Sequence, residues 1–116
     1  MEDHFCDLNN SNIREIVKHM PSDNTFMLSA NILKLLSDTT RLKILWILGH
    51  SEECVCSIAE TVSMSAPAVS HHLRSLRQTG IITNRREGKE VYYKIADTKE
   101  GKLVYDIVMD ICHCHH

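Results

Sequence analysis

The stretch Ser57–Gln78, SIAETVSMSAPAVSHHLRSLRQ, decides the fold. It reads as two short helices joined by a tight turn. Ile58, Ala59 and Val62 mark the inner face of the first helix. Ser63-Met64-Ser65 is the turn, and Ser65 is placed to cap the second helix. Pro67 falls in the first turn of that helix, where its missing N–H costs nothing. Val69, Leu73 and Leu76 recur at i, i+4 and i+7, one apolar stripe. The opposite face carries Pro67, His71, Arg74 and Gln78, flanked by Ser70 and Arg77, and Gly80 is a stop signal. Two readings fit this stretch alone. One is a helix-turn-helix whose second helix enters a DNA major groove. The other is a helical hairpin with a solvated face.

The next residues separate the two. Ile81-Ile82-Thr83 is apolar and β-branched, Arg85-Arg86-Glu87-Gly88-Lys89 reads as a charged turn, and Val91-Tyr92-Tyr93-Lys94-Ile95 is a second β run. Two such runs around a Gly-containing turn make a hairpin. A helix-turn-helix running into a basic hairpin is a winged helix. Between His71 and Lys94, six Lys and Arg residues face only Glu87 and Glu90, a local excess that suits phosphate contacts.

At 116 residues the chain is expected to form one domain, residues 11–116, behind an arm of residues 1–10 that lacks periodicity. A net charge of −2 excludes a general nucleic-acid coat, so any DNA contact is a local patch. No apolar run reaches the length of a membrane span, and the acidic, polar start MEDHFCDLNN is no signal peptide. A cytoplasmic protein with reduced thiols is the expectation. Five cysteines then call for explanation: Cys6, and the C-x-C pairs Cys54/Cys56 and Cys112/Cys114. Their odd count argues against a disulfide framework, and nearby histidines point to metal ligation. No nucleophile–base pair, Gly-rich phosphate loop or paired catalytic carboxylates appear, so an enzyme is not expected.

Before the helix-turn-helix, Ile13, Ile16, Val17 and Met20 form an amphipathic helix ended by Pro21. A second helix, capped by Ser22 or Asp23, runs through Leu36. A third, Leu42–Leu48, is apolar nearly all round and is expected at the buried centre. After the wing, Asp97 or Thr98 caps a last helix with Val104, Ile107, Val108 and Ile111 as its stripe. The first and last helices either pack on their own core or pair across a twofold axis. Pairing would place two recognition helices about one DNA turn apart. The expected class is therefore mainly α with a small β-hairpin: a winged helix-turn-helix with added N- and C-terminal dimerisation helices.

Three motifs resemble a known family. Leu36-Ser37-Asp38-Thr39-Thr40-Arg41-Leu42-Lys43-Ile44-Leu45 resembles the third-helix signature of the ArsR/SmtB metal-sensing repressors. Glu53-Cys54-Val55-Cys56-Ser57-Ile58-Ala59 resembles their thiolate metal box. Val69-Ser70-His71-His72-Leu73-Arg74-Ser75-Leu76, with Gly80 after it, resembles their recognition helix. The similarity runs from about Leu28 to the C-terminus. It implies a homodimer that sits on operator DNA and leaves it when metal binds. The C-V-C box together with Cys6 on the arm is most similar to the cadmium- and lead-sensing branch. That branch offers more than one arm cysteine; here His4 or a C-terminal cysteine would have to complete four-coordination.

Two cysteines two apart on a regular helix would point about 200° apart. Cys54 and Cys56 can share a metal only if Cys54 lies at or before the helix start, in extended backbone. A helix N-terminus also favours thiolates, and soft thiolates suit Cd(II), Pb(II), Zn(II) and As(III). Two buried, inert cysteines are the alternative. Zinc-sensing relatives carry a second ligand pattern on the last helix, aligned here with Asp97, Lys99, Asp110 and His113. Lys99 stands where a histidine belongs and would repel a cation. The tail Cys112-His113-Cys114-His115-His116 could supply ligands of its own or be a frayed polar end.

The expected metal ligands are thus Cys6, Cys54, Cys56, Asp97, Asp110, Cys112, His113 and Cys114, for Cd, Pb or Zn. The expected DNA face is Ser65, Pro67, Ala68, Ser70, His71, His72, Arg74 and Arg77, with Arg85, Arg86 and Lys89 of the wing. The expected partners are operator DNA and a second copy of the chain. A winged-helix repressor answering arsenite or thiol oxidation is the alternative.

Overall fold

The computed structural model describes residues 11–114. His4 and Cys6, both expected ligands, and residues 115–116 lie outside the described residues. The chain divides into two units at Asn31/Ile32.

The first unit holds α1 (Ser11–Lys18) and the start of α2 (Asp23–Leu36). α1 ends two residues earlier than its apolar stripe suggests. His19 N donates to Ile16 O and Met20 N to Val17 O, tighter i→i+3 bonds that close the helix before Pro21. Of the two expected caps, Ser22 takes the role: its Oγ accepts from Thr25 N at 3.2 Å. Ile13, Ile16 and Val17 of α1 and Met20 just after it are all exposed, as are Phe26, Met27 and Leu28 of α2.

The second unit contains the end of α2, then α3 (Thr39–Leu48), β1 (Glu53–Cys54), α4 (Val55–Val62), α5 (Ala66–Gln78), β2 (Ile82–Glu87), β3 (Glu90–Ile95) and α6 (Lys99–Cys114). The Asp38 carboxylate starts α3 by accepting from Arg41 N at 2.9 Å. α3 buries Ile44, Leu45 and Leu48, but Trp46 is 45% exposed. The all-round apolar reading is therefore corrected: α3 has one buried face, and Trp46 lies outside it against His50, ring centroids 4.1 Å apart.

The helix-turn-helix forms as its residues dictate. α4 buries Ile58 and Ala59. Ser63 turns the chain in the left-handed region, φ 58°, and Ser65 Oγ accepts from Ala68 N to start α5. Val69, Leu73 and Leu76 are fully buried. Burying each contributes roughly 1.5–3 kcal/mol, so this stripe fixes which face of α5 points outward.

The sheet has the order β1-β3-β2, antiparallel throughout. The wing strands extend further than their apolar runs. β2 continues through Glu87 and pairs Arg85 with Tyr92 and Arg86 with Val91. Arg85 and Arg86 thus sit on a strand, not in a charged turn. The turn is only Gly88-Lys89, with Gly88 at φ 65°, a first-turn position that favours glycine in a two-residue hairpin. β1 has no counterpart among the sequence expectations. It pairs Glu53 with Tyr93 and Cys54 with Tyr92.

Of the two candidates, Thr98 caps α6: its Oγ1 accepts from Gly101 N at 2.9 Å and donates to Gly80 O at 2.7 Å. Gly101, Val104 and Val108 are buried, and Cys112 packs against the same core. Ile111, expected in the stripe, is 49% exposed. The close approach of Gly101 sets this phase. A Cβ there would lie 2.1 Å from the Ala96 carbonyl oxygen and 3.1 Å from that of Ile81. Gly101→Ala should therefore destabilise the protein by about 1–3 kcal/mol or more, the cost of overpacking against backbone. Urea unfolding checks this; an unchanged midpoint would mean α6 does not dock this closely.

Candidate DNA interface and cysteine centre

Along the outward face of α5, Pro67, His71, Arg74, Arg77 and Gln78 are exposed, and Ala68 and Ser70 are half-buried. Ser65 is exposed, but its hydroxyl is engaged in the cap. Ser70, Arg74, Arg77, Gln78 and Tyr93 line a polar cleft where α5 meets β3. Arg74 and Arg77 make no ion pair within the described residues, so both charges face solvent. Such a row of polar and cationic groups, backed by a rigid buried stripe, can hydrogen-bond base edges and phosphates together.

His72 differs from its neighbours. It is half-buried, and its Nδ1 accepts from Arg41 Nε at 3.2 Å. The bond requires an unprotonated Nδ1, which puts the ring proton on Nε2. His72 thus ties the recognition helix to α3 rather than standing free on the outer face.

On the wing, Arg86 and Lys89 are exposed and make no ion pair among the described residues. Arg85 is engaged. Its Nε and Nη2 donate to the two carboxylate oxygens of Glu52 at 3.0 and 2.9 Å, and Nη1 donates to Glu87. The guanidinium lies 5.1 Å from the Tyr92 ring centroid. The hydrogen bond from Arg85 holds the Glu52 carboxyl below its usual range, and those to Glu52 and Glu87 hold Arg85 above its own.

Cys54 is the N-cap residue of α4, extended at φ −90°, ψ 166°. This is the backbone that sharing a metal with Cys56 requires. Cys54 is half-buried, with Sγ 3.4 Å from Ser57 Oγ, and Cys56 is exposed in the first helical turn. Both are free thiols. The donor chemistry and the extended backbone at Cys54 fit a soft, thiophilic ion. Two thiols make only half of a four-coordinate set, and no three His, Cys, Asp or Glu side chains converge among the described residues of one chain.

The remaining expected ligands are dispersed. Asp97 is exposed and paired with Lys102 at 3.2 Å. Asp110 lies 13 residues along the chain, mostly on α6, which places it about 20 Å away at 1.5 Å per residue. One chain cannot bring these two together; an antiparallel second helix could. The helix continues through Cys114, so the tail is not frayed over these residues. Cys112 is half-buried and Cys114 exposed, as expected for positions some 200° apart on a helix. They cannot clasp one ion between them while α6 stays helical. Asp110, Cys112 and His113 line a cleft with Trp46 and His50. His50 was not singled out in the sequence; its Nδ1 donates to Trp46 O at 2.8 Å.

A recognition helix with an outward cationic face and a docked β wing define a DNA-binding transcriptional regulator of the winged helix-turn-helix class. The comparisons with known proteins agree. Residues 38–84 match the bacterial regulatory protein, arsR family. The cadmium resistance transcriptional regulatory protein CadC homolog of Staphylococcus aureus is 40% identical over 78% of this chain and 72% of its own length. The transcriptional repressor BigR of Xylella fastidiosa superposes with a TM-score of 0.70 at 27% identity, covering 89% of this chain and 97% of that one. The homodimeric winged helix-turn-helix DNA-binding domain of a Mycobacterium bovis protein superposes at 0.68 with 29% identity, covering 83% and 91%. The chain belongs to the ArsR family of bacterial transcriptional regulators. Among the described residues no helix is long and apolar enough to cross a membrane.

Proposed function

We propose that this protein is a metal-responsive repressor: a homodimer that holds operator DNA and releases it when a thiophilic ion binds Cys54 and Cys56. The observation that carries the reading is the placement of these thiols. They bracket the N-terminus of α4, the helix that leads into the recognition helix, and Cys54 also lies on the strand that pairs with the wing. A soft cation supplies a bond that draws both thiolates, and further donors, to one point. Cys6 of the arm, and Cys112, His113 or Cys114 from a second copy, are the candidates to complete the set; Asp97 and Asp110 could meet only across an antiparallel pair of α6 helices.

The dimer rests on exposed apolar side chains: Ile13, Ile16 and Val17 on α1, and Leu103, Tyr105 and Ile111 on α6. A twofold pair presents two α5 helices to successive major grooves. Ser70, His71 and Arg74 read base edges, and Arg77, Arg86 and Lys89 contact phosphates. Moving the start of α4 tilts the helix-turn-helix and changes the spacing of the two readers. By linkage, the ion weakens DNA binding by the same factor that DNA weakens ion binding.

The test is a titration of Cd(II), Pb(II), Zn(II) and arsenite into reduced protein bound to labelled promoter DNA. At least one divalent ion is expected to lower DNA affinity by roughly 5- to 150-fold, the usual range of allosteric coupling. Release by arsenite, or by peroxide in a parallel metal-free titration, with no response to any divalent ion, would move the reading to an arsenite or thiol-redox sensor.

A further inference from the structure

One arginine of the wing is already engaged in the free protein. Arg85 gives Glu52 one whole edge of its guanidinium, Nε and Nη2, and gives Nη1 to Glu87. A carboxylate offers that edge the same pair of oxygens that a phosphate does, so the two compete for it. Glu52 is not part of the wing. It stands immediately before β1, two residues from Cys54. Cys54 pairs with Tyr92, and Tyr92 pairs on its other side with Arg85. Cys54, Tyr92 and Arg85 therefore form one rung across the three-stranded sheet, and the Glu52–Arg85 grip spans it from edge to edge.

We propose that Glu52 is a positioning residue for DNA binding. It occupies the phosphate-binding edge of Arg85 in the free protein, and operator DNA must displace it. The grip ties the wing to the strand that bears Cys54, so a displacement of that strand alters how readily Arg85 is given up. The inference rests on the reading that the wing meets DNA.

Four proteins test it, each assayed with operator DNA over a range of salt: wild type, Arg85→Ala, Glu52→Gln and the double variant. Arg85→Ala is expected to weaken binding. Glu52→Gln is expected to tighten it by up to roughly fivefold, the scale of an exposed ion pair. The slope of log affinity against log salt should stay near that of wild type, because Arg85 reaches its phosphate in both complexes, while Arg85→Ala should flatten it by about one. In the Arg85→Ala background, Glu52→Gln should change nothing. Glu52→Asp keeps the charge but shortens the reach, and should tighten binding in the same direction.

Equal tightening by Glu52→Gln in both backgrounds would reveal simple loss of a negative charge and overturn the proposal. An unchanged affinity in Glu52→Gln would overturn it as well, while leaving the wing reading intact. If Arg85→Ala itself has no effect, the wing does not use Arg85 on DNA, and the proposal falls with that reading.

Discussion

Replacing Cys54 and Cys56 together with serine is expected to leave operator binding intact and abolish release by metal. The expectation follows from where each thiol sits. Neither lies on the outward face of α5, and both are at the other end of the helix-turn-helix, one in extended backbone and one in the first turn of α4. Serine is only slightly smaller and keeps a polar hydrogen at Cys54, which lies 3.4 Å from the Ser57 hydroxyl. It removes the soft donor, which is what a thiophilic ion requires. The metal concentration needed for half release should rise by at least tenfold. The ultraviolet charge-transfer absorption of Cd(II)–thiolate should fall in parallel. Single variants should show intermediate shifts. A folded, dimeric double variant that releases DNA at the wild-type metal concentration would place sensing elsewhere, with the cleft of Asp110, Cys112 and His113 as the next candidate.

Replacing Arg74 with alanine should weaken operator binding by about 1–3 kcal/mol, the scale of one base-reading arginine. Arg74 is exposed on α5, bonded to no acid among the described residues, and lines the cleft beside Tyr93. Its neighbour Leu73 is fully buried. The two alanine variants should therefore separate cleanly. Leu73→Ala should cost roughly 2–5 kcal/mol of folding stability by opening a cavity. Arg74→Ala should leave the unfolding midpoint unchanged and relax discrimination between operator and random DNA. Fluorescence anisotropy with both DNAs, beside a urea melt, measures each effect. Wild-type operator affinity in Arg74→Ala at every salt concentration would mean that α5 does not read bases through this residue.

The helix-turn-helix was legible because each of its parts carries a local chemical instruction. Ser65 must accept from an amide two or three residues on, Pro67 is tolerated only near a helix start, and Val69, Leu73 and Leu76 bury together or not at all. The same holds for Cys54: a C-x-C pair can meet one ion only outside regular helix, and the N-cap geometry satisfies that condition. The family signature at Leu36–Leu45 added the partner class, which spacing alone could not supply.

What remained hidden depends on residues far apart in the chain. β1 is two residues long, too short to show a period, and exists only because β3 offers it an edge. The wing strands reach to Glu87 and from Glu90 because backbone pairing, not hydrophobicity, holds charged residues in a hairpin. Ile111 and Cys112 exchange places on α6 because Gly101 presses against Ala96, which sets the rotation of the whole helix. His72 and Arg85 both read as free DNA contacts in a one-dimensional count of charge. Their partners, Arg41 and Glu52, lie 31 and 33 residues away. The sequence determined the helices, the hairpin and which face of α5 is outward, since those follow from nearest-neighbour chemistry. Only the tertiary structure decided which of the outward charges are already spoken for, because an ion pair depends on distance in space.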